Sequence, residues 1–344
     1  MATVAVVGAG LAGLACGKAL QASGKTVIWL EKSRGVGGRL ATRRLSGSWV
    51  DHGVRYWAPS GLQTLSQQLL NDGILHPWSA QGFVWQGELK QSSRVVYCAD
   101  RGLNAIAKYL AQGCDIRRQH RVTTLTKTES GWQLMAHSPE GAVQIETDMV
   151  VLAIPAPQVM PLLEPLDKLA THRLQSVEYD ACLSLMLTYD TLPEARPLNH
   201  FEGWYVLAED AVLSWLSLDS SKPNAKPASI KTGLLQTQPS FAAQYLQQLD
   251  SLPPNAAAVE TLLQETIAAM LTAAATIVPG LQQPQSSRLH RWRYSTVKQP
   301  YPRTMLTTQW PSLVCCGDWC CPEELTGLAA AYASGLAAAA SLKC

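Results

Sequence analysis

The residues with the clearest chemical implication lie near the start of the chain. Gly8-Ala9-Gly10-Leu11-Ala12-Gly13 follows the apolar run Val4-Ala5-Val6-Val7 and opens a helical pattern. In this spacing Gly8 permits a tight turn, Gly10 lets a pyrophosphate approach the backbone, and Gly13 lets helix and strand pack closely. The helix start at Leu11 and Ala12 offers unpaired N–H groups and the positive end of a dipole to phosphates. Glu31 ends the next apolar run, 18 residues after Gly13. A carboxylate there can accept hydrogen bonds from both ribose hydroxyls. A chance glycine-rich turn is the alternative, but strand, turn, helix and acid in this order favour a dinucleotide-binding unit.

The run that follows, Lys32-Ser33-Arg34-Gly35-Val36-Gly37-Gly38-Arg39, has no purpose in an NAD site. Paired glycines followed by Arg39 supply close backbone approach and a fixed cation, which suits a second pass along a pyrophosphate. Residues 4–39 resemble the motif of the flavoprotein superfamily that contains monoamine oxidase, protoporphyrinogen oxidase and phytoene desaturase. The resemblance implies FAD, with Lys32, Gly38 and Arg39 beside it. It extends to Cys315-Cys316-Gly317-Asp318-Trp319. It implies that Gly317 and Asp318 bind the ribityl and phosphate part, that amides near Leu325, Thr326 and Gly327 face the flavin, and that the Val122 backbone meets the adenine. Asp148–Pro157 resembles the strand leading out towards the substrate domain. On residue types alone, Gly-Asp is equally a turn or a helix cap.

Further segments resemble the renalase-like branch. These are Asp51-His52-Gly53-Val54-Arg55-Tyr56-Trp57, Ser214-Trp215-Leu216, Ser220-Ser221-Lys222-Pro223 and His290-Arg291-Trp292-Arg293-Tyr294. That likeness implies that Arg55 and Tyr56 lie along the flavin. It implies an oxidase taking hydride from isomeric dihydronicotinamide dinucleotides, NAD(P)H-type donors, and passing electrons to O2 to give H2O2. His52 and Arg55 differ from the usual pattern, and so does the helix entry Glu323-Glu324-Leu325-Thr326-Gly327. One dinucleotide fingerprint is present and FAD takes it, so a nicotinamide donor has to stack in the flavin cavity. Oxidation of an amine or another C–H donor is the rival reading, and a flavin-binding sensor or assembly protein is the non-enzymatic one.

Flavin performs the hydride chemistry, so the protein supplies orientation and electrostatics. Trp57, Trp292 and Trp319 are candidate cavity walls, with core packing as the alternative for each. His52 and His290 are candidates for steering or proton handling, although a structural hydrogen bond suits His290 better. Arg55 and Arg293 could neutralise a substrate phosphate or the reduced flavin, and Arg291 fits a solvated strand face. No cysteine stands where a thioether link to flavin would form, so FAD is expected to be non-covalent.

These residues need a scaffold of two interleaved units. Hydrophobic residues make up 47% and charged residues 16%, enough for large cores and against disorder. The net charge of +2 gives no electrostatic reason to expect nucleic acid or an acidic membrane. Residues 2–16 lack the cationic start of a signal peptide, and the Ala-rich 327–342 is short for a membrane span. A cytoplasmic location is expected. Cys315, Cys316, Cys320 and Cys321 suggest either a metal or redox cluster or small buried side chains. Without a distant Cys-x-x-Cys or His pair the second reading is preferred, and no metal is expected.

Strands are expected at Thr3–Val7, Thr26–Glu31, in several runs from Arg121 to Ile154, and at 182–190, 211–218, 229–237, 289–294 and 313–316. Helices are expected at Leu11–Ala22, 61–72, 102–112, 241–249, 256–277 and from about Leu325. The fold class is α/β: a Rossmann-type FAD-binding domain with an interleaved α+β substrate domain, as in the amine oxidases and p-hydroxybenzoate hydroxylase. Residues 1–75, 95–170 and 285–344 are assigned to the first, 76–94 and 171–284 to the second.

Overall fold

The structure is a computed structural model, and it describes residues 2–45, 47–78, 81–85, 89–92, 94–190, 203–223, 230–253, 256–322 and 325–343. Pro193, Pro197, Pro227 and Glu323-Glu324 lie outside the described residues.

Strand β1 (Thr3–Val7) lies inside a six-stranded sheet, parallel to both β2 (Thr26–Glu31) and the strand Met149–Leu152. Beyond Met149–Leu152 come Leu313–Cys315 and Leu306–Thr307, and beyond β2 comes Asp115–Arg118. Both faces are covered, which explains why β1 reads as unbroken apolar sequence. Val4 and Val6 face helix α1 (Leu11–Ala22) and the terminal helix Gly327–Ser341. Ala5 and Val7 face a second core with Trp132, Leu134 and Val159. Gly17 leaves room for the Trp29 ring, and Gly335 lets the terminal helix lie directly on the Ala12 backbone of α1. No helix among the described residues is long and apolar enough to cross a membrane.

A second sheet has seven strands in the order Ser286–Gln299, Glu178–Tyr189, Lys231–Thr237, Leu213–Leu218, Gly203–Leu207, Gln81–Trp85 and Leu89–Gln91. One face (Leu183, Leu185, Leu187, Leu216 and Leu235) packs on the helices Pro239–Ser251 and Ala256–Ile277. The opposite face carries Met186, Leu234, Trp204 and Trp215, which pack with Val50 of the hairpin Thr42–Leu45/Ser48–Asp51. The hairpin that follows the second glycine run therefore meets this second face.

The mixed α/β architecture matches the expectation, with one reassignment. Ser286–Gln299 was expected among the nucleotide-binding segments, yet it is the edge strand of the seven-stranded sheet, hydrogen-bonded to Glu178–Tyr189. It is also longer than the 289–294 read from local pattern, because its solvent-facing positions are polar. The terminal helix begins at Gly327, slightly later than expected.

Candidate functional site

The turn between β1 and α1 has the features a pyrophosphate needs. Gly8 has φ of +101°, and a Cβ there would approach Ala153 O to 2.6 Å, so only glycine is unstrained. A Cβ on Gly10 would meet nothing within 4 Å, so the space above it is open. Gly10 caps α1 without a side chain, and the first-turn amides of Leu11, Ala12 and Gly13 have no side-chain cap. Gly37 pairs with Gly10, its N–H donating to Ala9 O at 2.8 Å, and Gly38 lies against the Gly10 Cα. The two glycine runs thus form one main-chain cradle.

Acid and base side chains border it. Glu31 is buried, and its two carboxylate oxygens accept from Ala9 N and Ser33 N, each at 2.8 Å. Its orientation is fixed before any sugar arrives. Lys32 donates to Gln158 Oε1 at 3.1 Å, and burial draws its pKa down even though Glu31 opposes this. Val122 is the second residue of the strand Arg121–Lys127, whose approach is tied to β2 by the His120 amide on Glu31 O. Arg39 donates to Asp318 Oδ1 at 2.6 Å and to Ser295 O at 2.8 Å. Burial opposes its charge, but the Asp318 carboxylate prevails and the Arg39 pKa is raised. Gly317 is anchored to the buried Ser334 hydroxyl at 3.0 Å. Leu325 and Thr326 lead into the terminal helix, whose Thr326 N-cap makes no side-chain bond. These features fit FAD: open glycine backbone, uncapped helix amides, a fixed acid and a fixed guanidinium.

The seven-stranded sheet supplies the other wall. His290, Ser184, Gln236 and Trp215 are register partners across four adjacent strands. Trp292 follows His290 on the same face, and its Nε1–H donates to His52 O at 2.7 Å. The rings of His52, His290 and Trp292 lie within 4.5–5.5 Å of one another. His52 Nδ1 is 2.9 Å from Ala41 O, so it carries the proton and leaves Nε2 free. Burial lowers the His52 pKa, partly offset by that carbonyl and reinforced by Arg43 and Arg288. Burial, His52, Arg43, Arg291 and Arg288 push His290 down to about 4. The pair is neutral near pH 7. Gly53 lies against Arg39 O and the Trp292 ring, where a Cβ would collide, so this layer abuts the Arg39 main chain.

Several sequence-derived roles are corrected. Trp57 is fully buried among Leu62, Leu65 and Leu69, with its N–H on Ser66 Oγ at 2.8 Å. Trp319 is equally buried, its N–H on Ile154 O at 3.0 Å. Both are core, because neither has surface left to form a cavity wall. Arg293 points to the opposite face from Trp292, where it forms a bidentate pair with Asp250. It borders a cleft of about 370 Å³ with Tyr179 and Ser240, and its charge is already neutralised. His290 makes ring contacts where a structural hydrogen bond was preferred. Arg291 is exposed, as a solvated strand face requires. The four clustered cysteines are buried free thiols, and among the described residues no group of His, Cys, Asp or Glu could hold a metal.

Tyr56 packs on Trp204 and Trp215, its hydroxyl accepting from Arg94 at 2.6 Å. Arg55 lies over Trp215 and donates to Gln236 and Ser214. Sequence reasoning missed the roles of Gln236, Ser184 and Asp219, and gave none to Lys222. The Lys222 ammonium is fully buried between Asp51 Oδ2 at 2.9 Å and Asp219 Oδ2 at 2.8 Å, and also reaches Arg55 O at 3.2 Å. Burial opposes its charge, yet the two carboxylates raise its pKa; the Asp51 pKa is raised by burial despite Lys222. This triad fixes the segment from Asp51 to Arg55. The only signal in sequence was a lysine between Ser221 and Pro223.

Two family models match the chain: an NAD(P)-binding Rossmann-like domain over residues 6–73, and flavin-containing amine oxidoreductase over residues 79–343. The chain belongs to the flavin-containing amine oxidoreductase family. It is a flavin-dependent oxidoreductase, and its cofactor is FAD. Within the family it is renalase-like: renalase from Mus musculus is 26% identical over 339 residues, covering 92% of this chain and 93% of that protein. A putrescine oxidase superposes with a TM-score of 0.75 at 15% identity over 98% of both chains. Cyclohexylamine oxidase from Brevibacterium oxydans IH-35A gives 0.70 at 12%, over 99% of this chain and 98% of its own. These two likenesses establish the shared fold.

Proposed function

We propose that this protein is a renalase-like oxidase of isomeric dihydronicotinamide dinucleotides, with FAD held non-covalently in the cradle of Gly8 to Gly13, Glu31, Gly38, Arg39 and Asp318. Bound there, FAD would supply hydride acceptance at N5 and reoxidation by O2 to H2O2. The observation that carries this reading is the neutral layer of Trp292, His52 and His290, which Gly53 seats against the Arg39 main chain. Trp292, half-buried and hydrogen-bonded through its N–H, presents a fixed flat surface for a planar donor. The free Nε2 of His52 can receive a hydrogen bond from a donor carboxamide without adding charge. The likeness to mouse renalase over nearly the whole chain supports the same choice.

An amine donor is the second reading, favoured by the fold shared with putrescine and cyclohexylamine oxidases. The electrostatics oppose it. Asp51 and Asp219 are bound to Lys222, and Asp318 to Arg39, so none of these carboxylates is free to attract an ammonium.

Anaerobic mixing of the FAD-loaded protein with borohydride-isomerised NADH is expected to bleach the flavin within seconds, with H2O2 formed on admission of air. Bleaching by primary amines alone would replace this reading with the second. A flavin that neither class reduces would remove both.

A further inference from the structure

Through its guanidinium, Arg55 touches only neutral side chains among the described residues. Its Nε donates to Gln236 Oε1, its Nη2 to the Ser214 hydroxyl at 3.2 Å, and its guanidinium lies 4.8 Å from the centre of the Trp215 ring. Arg39, Lys222 and Arg293 each have a carboxylate; Arg55, among the described residues, has none within ion-pair distance. The arrangement is held in place. Gln236 must turn its oxygen to Arg55 because its nitrogen is committed to His52 O, Gly53 O and Ser184 Oγ at 3.0–3.3 Å. A guanidinium has five N–H bonds in a fork that matches an oxyanion. The bonds to Gln236 and Ser214 leave all of Nη1 without a protein acceptor among the described residues.

A second observation concerns the same cluster. The indoles of Trp204 and Trp215 are stacked 5.2 Å apart and are almost completely buried, and neither Nε1–H has a partner among the described residues. Buried donors are ordinarily satisfied. The Arg55 Nη1 and the indoles of Trp215 and Trp204 thus belong to one cluster that holds donors without a protein acceptor among the described residues. Burial pulls the Arg55 pKa down, the direction expected of a cation that lacks a counter-charge.

We infer that Arg55 is the docking point for an oxyanion of the electron donor, a carboxylate or a phosphate, and that it selects anionic donors over cationic amines. This rests on reading the sheet face around Trp292 and Gln236 as the donor pocket, and it adds the charge that the donor must carry.

The test uses FAD-loaded protein and four probes with one ring and different head groups: benzoate, phenyl phosphate, benzamide and benzylamine. Binding is followed by calorimetry and by perturbation of the flavin absorbance, neither of which requires turnover. Benzoate or phenyl phosphate is expected to bind saturably, and the tighter of the two identifies the oxyanion. Arg55→Gln should weaken that probe at least tenfold, leave benzamide unchanged and retain FAD. Arg55→Lys, which keeps the charge, should retain saturable binding. Equal binding of both anions by wild type and Arg55→Gln overturns the proposal, as does their failure to bind wild type or a preference for benzylamine. Loss of FAD from Arg55→Gln with anion affinity unchanged assigns the guanidinium to the flavin and also overturns it. Arg55-dependent binding in a protein that dihydronicotinamides do not reduce upholds the anion site while removing the proposed donor.

Discussion

Arg39 and Asp318 are 279 positions apart in the chain and joined by a hydrogen-bonded ion pair of 2.6 Å. One follows the glycines that close on α1, the other precedes the terminal helix. The pair therefore brings the two ends of the cofactor cradle together before a phosphate or ribityl chain arrives.

Asp318→Ala leaves the Arg39 guanidinium without its carboxylate and removes a proposed flavin contact. A hydrogen bond to a charged group is worth about 1.5–3 kcal/mol. FAD affinity should fall roughly 10–100-fold, read by titration of flavin fluorescence. An unchanged dissociation constant would show that the pair is only structural.

Gly13→Val tests the cradle itself. A Cβ at Gly13 would collide with Gly8 O and lie 3.1 Å from the Ala153 Cβ. The purified variant should be colourless, with a far-UV circular dichroism spectrum close to wild type. A yellow, fully loaded variant would contradict the assignment.

Lys222→Met leaves Asp51 and Asp219 buried without their ammonium. Breaking one side of a buried ion pair costs about 3–5 kcal/mol, and thermal or urea unfolding should register a loss of that order. The deficit should shrink on acidification, because protonating either carboxylate relieves the repulsion. A variant as stable as wild type at pH 7 would refute the view of this triad as a clamp.

The histidine layer predicts a pH dependence with a definite sign. His290 moves from the ordinary 6.5 down to about 4, and His52 is also lowered. Above pH 6.5 both folded and unfolded chains hold neutral imidazoles and the term vanishes. Between 6.5 and about 4 the unfolded chain binds protons that the folded one refuses, so stability falls with pH. His290→Gln should flatten that part of a melting-temperature profile. An identical slope in the variant would place the acid sensitivity elsewhere.

What the sequence disclosed follows from how local each feature is. Gly8, Gly10, Gly13, Glu31, Gly38 and Arg39 belong to one strand-turn-helix-strand passage, so their spacing carries the geometry. Trp57 and Trp292 look alike as residues, and only packing separates a core tryptophan from one beside His52. Trp292 and Arg293 are neighbours that strand alternation sends to opposite faces, a fact available only once the register with Glu178–Tyr189 is known. No local pattern in the edge strand Ser286–Gln299 marks the strand it pairs with. Pairing across long separations put it in the other sheet. Lys222 was the least legible residue, since Asp51 lies 171 positions away and no local pattern marks a buried lysine.

The contact between Gly335 and the Ala12 backbone has a consequence for biosynthesis. The helix that begins the nucleotide site is covered by a helix translated almost the whole chain later. Until that segment leaves the ribosome, one flank of α1 is an uncovered greasy groove and Asp318 has not yet closed on Arg39. Completion of the flavin cradle therefore waits for this segment, and a message interrupted before it would yield a chain that exposes this groove.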